Sequence, residues 1–115
     1  MKAVVAWWDL APSGRDAASL RAFLREEAVA RFARVAGLRL KVWMSDAPTG
    51  RWGAIFLWES AEAAAQQLPA RAAEIIGYPP TEVHVFDVEA VTEGRHGTPE
   101  LAGLGLAYAE RNPAA

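Results

Sequence analysis

Residues 37–60, GLRLKVWMSDAPTGRWGAIFLWES, carry the pattern of two strands and a turn, and this stretch limits what the rest of the chain can do. Leu38, Leu40, Val42 and Met44 alternate with Arg39, Lys41 and Trp43, the period-two signature of a strand. The second arm places Trp52, Phe56 and Trp58 on one side, with Ile55 and Leu57 opposite and Gly53 near its start. Asp46-Ala-Pro-Thr-Gly50 joins them, since proline sets one φ and glycine tolerates a positive one. A strand apolar on both sides must be covered on both sides.

The flanking segments supply partners. Residues 2–8, KAVVAWW, predict a strand with Val4, Ala6 and Trp8 on one face and Ala3, Val5 and Trp7 on the other. A loop with Pro12 and Gly14 follows, then a helix capped near Ser13 or Asp16 and ending before Gly37. Ala17, Leu20, Leu24, Ala28, Phe32 and Val35 form its apolar stripe, and Arg31 is the one charge inside it. Ser60 caps a second helix with Ala61, Ala65, Leu68, Ala72 and Ile75 or Ile76 on its buried side. Pro69 predicts a break at Leu68 and suits the first position of a new short helix. Residues 81–89, TEVHVFDVE, predict a fourth strand, with Val83, Val85 and Asp87 alternating with His84, Phe86 and Val88.

The order β-α-β-β-α-β is that of a ferredoxin-like α+β unit, with a four-stranded antiparallel sheet and helices on one face. Residues 1–90 make this domain, and residues 91–115 form a C-terminal extension. There Thr98-Pro99-Glu100-Leu101 resembles a helix start, with Leu101, Leu104 and Tyr108 at helical spacing. Gly103 and Gly105 weaken that helix by about 1 kcal/mol each.

Geometry then bears on assembly. Four strands span about 19 Å, and two helices about 10 Å wide cover one face of that sheet. The second face needs another copy of the sheet or the C-terminal extension, and a homodimer is the expectation. At 115 residues the chain buries a single core, and a net charge of −2 without a basic cluster disfavours nucleic acid as partner. Cysteine is absent, which removes disulfides, thiolate metal sites and a cysteine nucleophile. No stretch approaches the ~20 apolar residues of a membrane span, and MKAVVAWWDL meets Asp9 and Pro12 too early for a signal peptide. A cytoplasmic location is the expectation.

Three runs, Gly37-Leu-Arg-Leu-Lys-Val-Trp43, Gly53-Ala-Ile-Phe-Leu-Trp-Glu-Ser60 and Val85-Phe-Asp-Val88, resemble in order and spacing the small mono-oxygenase family of the YdhR type. That family belongs to the superfamily of antibiotic-biosynthesis mono-oxygenases and stress-responsive barrels. The resemblance spans roughly residues 2–90. It implies a dimeric α+β barrel whose cleft, between helices and sheet, holds a small aromatic, quinone-like or polyketide-like compound. It also implies oxygenation without metal or flavin, because an electron-rich phenol or quinol reduces O₂ itself. Haem-degrading members of the superfamily use an Asn, a Trp and a His, the last two on and after the second helix. Here that helix offers Gln66, Gln67, Arg71 and Glu74, which disfavours haem degradation.

No cofactor is expected. Gly94, Gly97, Gly103 and Gly105 do not form a dinucleotide-binding loop, and His84 and His96 lack carboxylates at metal-binding spacing. Trp43, Phe56 and Trp58 either pack the core or dimer interface or wall a pocket for a flat substrate. Arg39 and Lys41, on Trp43's side of the strand, are solvated edge charges or the cations that stabilise a phenolate or enolate. Arg31 poses the same alternative from the helix, and its ordinary role is a buried stem with a wet head. His84 is a packed residue or a base of near-neutral pKa; His96 lies in a glycine-flanked loop, and Asp87 is a hydrogen-bond acceptor at the end of the sheet. A cofactor-independent mono-oxygenase is therefore the leading reading. Alternatives are a non-catalytic small-molecule-binding dimer and an isomerase or cyclase on the same fold, with His84 and Arg31 as weak catalytic candidates.

Overall fold

A computed structural model describes residues 1–95, 101 and 103–109. His96 and Thr98–Glu100, singled out from the sequence, lie outside the described residues. Four strands, β1 (Lys2–Asp9), β2 (Leu38–Asp46), β3 (Arg51–Trp58) and β4 (Glu82–Asp87), form one antiparallel sheet in the order β2-β3-β1-β4. Helical segments connect β1 to β2 and β3 to β4, so the element order is the one the sequence predicts. This α+β arrangement is compatible with a ferredoxin-like fold.

The hairpin closes as its composition dictates. β2 ends at Asp46, and Gly50 turns the chain at φ 71° before β3. The predicted alternation holds on β3 and on most of β2. A bulge between Leu38 and Leu40 interrupts it. Leu38 pairs with Trp58 and packs in the helix-side core, whereas Leu40 pairs with Leu57 on the other face. Arg39 is the extra residue, exposed at the edge, so it does not share Trp43's side as simple alternation predicts.

The first helical region contains α1 (Ala17–Phe23), a π-helical turn at Leu24–Ala28, and α2 (Val29–Phe32). Of the two sequence candidates, Asp16 is the cap: its carboxylate accepts the Ser19 N–H at 2.9 Å, and the Ser19 hydroxyl accepts the Asp16 N–H at 3.3 Å. The buried residues Leu20, Leu24, Ala28 and Phe32 recur every four positions. In a 3.6-residue helix each such step drifts by about 40°, and the wider π turn absorbs that drift and keeps the stripe on the sheet. Helix formation stops at Phe32, and turns carry the chain to Gly37 at φ 80°.

The second region is more broken than proline alone predicts. After α3 (Ala61–Ala65), capped by Ser60, the chain leaves helical geometry at Gln66, two residues before the expected break. α4 (Arg71–Ile76) starts two residues after Pro69, so Pro69 is not its first position. Leu68 packs on the sheet core, and the non-helical link lets it reach there. In the C-terminal extension the start of the helix expected from Thr98 lies outside the described residues; α5 (Leu106–Ala109) follows Gly103 and Gly105, whose φ values of 84° and 104° take the backbone out of helical geometry before it. Ala107 of α5 is buried against α1, and its carbonyl accepts a 2.7 Å bond from Arg25 Nη1.

The core is therefore one-sided. Ala6, Trp52, Ala54, Phe56 and Trp58 face the helices and are buried. On the opposite face Val42, Ile55 and Phe86 remain 44%, 41% and 55% exposed. Ala107 and Tyr108 of the extension pack on the helix layer, and the second face stays open. Among the described residues no helix is long and apolar enough to cross a membrane.

Candidate functional site

β2 and β3 carry Lys41, Trp43, Ala54, Phe56 and Trp58 into the space under the helices, because all five share the helix-side face. The cleft there has a volume of about 350 Å³. Its roof comes from Phe23, Arg31 and Phe32 of the first helical region and from Leu68 to Ala73 of the second. Val83 and Val85 of β4 flank it and stay largely exposed, since the helices do not extend over that edge strand.

The aromatic rings are ordered around one amine. Phe56 stacks on Trp58 at 5.8 Å with planes 10° apart, and Phe32 meets Phe56 and Trp43 edge-on at 6.2 and 5.9 Å. Lys41 Nζ stands 3.2 Å from the centre of the Phe32 ring and 4.4 Å from those of Trp43 and Phe56. Among the described residues no hydrogen bond or ion pair reaches this amine. Burial without a counter-ion disfavours its charged form and lowers its pKa from 10.5 to about 7. The ring faces partly offset that cost, by about 0.5–2 kcal/mol.

The predicted site residues separate into three places. Lys41, Trp43, Phe56 and Trp58 come together, although Trp58 at 1% exposure serves as floor and core while Trp43 stays partly accessible. Arg31 joins them as an exposed residue at the cleft rim. Arg39 instead lines a wider groove of about 890 Å³ along the β2 edge, bounded by α1, α2 and the C-terminal extension. Phe32, Lys41, Trp43 and Trp52 line both spaces, which makes them the partition between groove and cleft.

His84 lies on the other side of the sheet. It pairs with Val5, stacks on Trp7 at 5.4 Å and on Phe86 at 6.4 Å, and meets Glu82 Oε1 at 3.2 Å. Arg51 covers Trp7 at 5.5 Å, and the Trp7 indole N–H is buried with no acceptor. Arg31 and His84 thus face opposite sides of the sheet and cannot meet at one site within a single chain. Asp87, as expected, is an acceptor at the sheet's end, where Lys2 bonds it and holds its carboxyl below the usual range.

Sequence reasoning did not single out Phe32, Glu27 or Arg71 for the cleft. Phe32 was visible only as the last large residue of the helical stripe, and the ring nearest Lys41 emerges only from packing. Glu27, turned toward the cleft by the π segment, pairs with Arg71 of α4 at 3.5 Å and ties the two halves of the roof together. Among the described residues no group of three or more His, Asp or Glu gathers to hold a metal ion. No protein-family model matches the chain, and no curated protein matches it either.

Proposed function

We propose that two copies of this chain pair through their open sheet faces into a dimeric α+β barrel of the ferredoxin-like type, and that each helix-side cleft takes a flat aromatic or quinone-like compound. The reaction that fits this cleft best is cofactor-independent mono-oxygenation of an electron-rich phenol or quinol. Its support is the amine of Lys41, which has no hydrogen-bond or ion-pair partner among the described residues and is set among Phe32, Trp43 and Phe56 in a cleft whose other charged groups are Arg31 at the rim and the Glu27–Arg71 pair in the roof. Protonated Lys41 would stabilise the phenolate, in a setting where low polarity strengthens the interaction. The phenolate then supplies the electrons that reduce O₂; one oxygen atom enters the substrate as a carbonyl and the other leaves as water.

Oxygen uptake by the purified protein with a panel of hydroquinones and hydroxylated polycycles tests the reading, with melting temperature as the binding readout. Uptake that disappears in Lys41→Met supports it. No uptake and no thermal shift across the panel removes it.

A second reading, a binding or sensing dimer without turnover, draws on a different observation. The half-buried carboxylate of the cleft, Glu27, is committed to Arg71, and His84 is on the far face. Acid–base work in the cleft therefore falls to Lys41 alone, which also weakens the isomerase or cyclase alternative. Thermal shifts without oxygen uptake favour the binding module.

A further inference from the structure

The chain spends its basic residues unevenly. Ten of its twelve are arginines, and the two lysines are Lys2 and Lys41. Lys2 sits at the end of the sheet, bonded to Asp87. Lys41 is the one placed in the cleft. A guanidinium stays charged at any pH a protein meets, whereas an amine can lose its proton and become a nucleophile. The cleft thus holds the kind of cation that can be switched off.

We propose that Lys41 is an amine nucleophile that condenses with the carbonyl carbon of an apolar aldehyde or ketone bound in the cleft, forming an imine. The lone pair of Nζ attacks the carbonyl carbon, and the carbonyl oxygen takes up a proton to give a carbinolamine. Loss of one water then leaves C=N, with no oxidant or reductant consumed. Three features of the site serve this step. Among the described residues no carboxylate holds Nζ in the ammonium form, the surrounding rings dock a flat carbonyl compound beside it, and the cleft opens past exposed Val83 and Val85 for water to leave. A pKa near 7 leaves about half the molecules with a free amine at neutral pH, against roughly one in three thousand for an ordinary lysine.

This inference rests on the cleft being the ligand site and changes what happens there. It concerns carbonyl compounds, whereas the oxygenation reading concerns phenols. The two converge on one residue in opposite protonation states.

The test uses 2-naphthaldehyde with sodium cyanoborohydride at pH 7.5, followed by intact mass and peptide mapping, with quenching of tryptophan fluorescence as a separate binding readout. The expected result is one naphthylmethyl group on Lys41, at least tenfold above Lys2, suppressed by excess 2-naphthol. Any product at the N-terminal amine is not suppressed. Lys41→Arg loses the adduct, while labelling of the N-terminal amine stays the same. Quenching by the aldehyde without modification of Lys41 overturns the nucleophile and leaves the cleft reading intact. Absence of both quenching and adduct overturns the two together.

Discussion

The amine of Lys41 lies 3.2 Å from the centre of the Phe32 ring, a contact between the hairpin's second residue of alternating charge and the last turn of the first helical region. The hairpin and the first helical region thereby hold a partly buried amine that has no counter-charge among the described residues. Stability, ligand binding and assembly can each be tested from this arrangement.

Lys41 makes stability depend on pH. Its folded pKa of about 7 lies below its unfolded value of 10.5, so between those values the unfolded chain binds more protons. Stability therefore rises with pH across this window and is lowest at and below pH 7. The full shift corresponds to roughly 5 kcal/mol at 1.36 kcal/mol per unit, which the ring contacts reduce to about 3–4 kcal/mol. Lys41→Met should be more stable than wild type by that amount at pH 7, and the difference should vanish near pH 10.5. Urea unfolding of both proteins at the two pH values measures it; a difference that does not change with pH refutes the burial effect.

Trp43 and Trp58 should behave differently when truncated. Trp58 is 1% exposed, so Trp58→Ala leaves a cavity that costs about 3–5 kcal/mol. Trp43 is partly accessible and lines the cleft, so Trp43→Ala should cost less stability while weakening 2-naphthol binding about tenfold or more. Calorimetric titration alongside thermal unfolding separates the two effects.

Gly53 has no room for a side chain. A Cβ there would lie 2.0 Å from the Ala6 carbonyl oxygen and 2.6 Å from Trp7 Cα, both backbone atoms of the neighbouring strand. Gly53→Ala must push β1 and β3 apart, costing roughly 1–3 kcal/mol or more. A melting temperature equal to that of wild type would contradict this close approach.

The open face gives the assembly test. Val42 of the edge strand β2 pairs there with Ile55 of β3, and both are more than 40% exposed. Under the proposed pairing, light scattering shows wild type at about twice the 12.4 kDa chain mass, and Ile55→Lys at the mass of one chain. Because Ile55 points away from the cleft, the same substitution should leave 2-naphthol binding within about twofold. A wild-type protein that is monomeric at high concentration eliminates the pairing.

Much of the fold was legible because periodicity reports faces. Val4, Ala6 and Trp8 alternate with Val5 and Trp7, and the register of β1 with β3 places them on opposite sides as that alternation requires. The hairpin turn was equally visible, since Pro48 and Gly50 restrict what Asp46 to Arg51 can do. Legibility failed where a local irregularity competed with the pattern. A single extra residue at Arg39 redirected that side chain to the edge groove, and Leu68 drew its link out of helical form earlier than Pro69 demanded. For the site, the aromatic residues were identifiable and their division of labour was not. Nothing local distinguishes the wall residue Trp43 from the floor residue Trp58.

By itself, then, the sequence determined the element order and the two-sided apolarity of the strands, along with the presence of one lysine among aromatics. These are properties of spacing and residue type, which hold before any segment meets another. Only the tertiary structure decided which charge is buried and which ring it meets. It also put His84 on the opposite side of the sheet from Arg31. Those outcomes depend on register, on one bulge and on a π turn, each of which rotates or shifts side chains by a fraction of a repeat that residue composition does not encode.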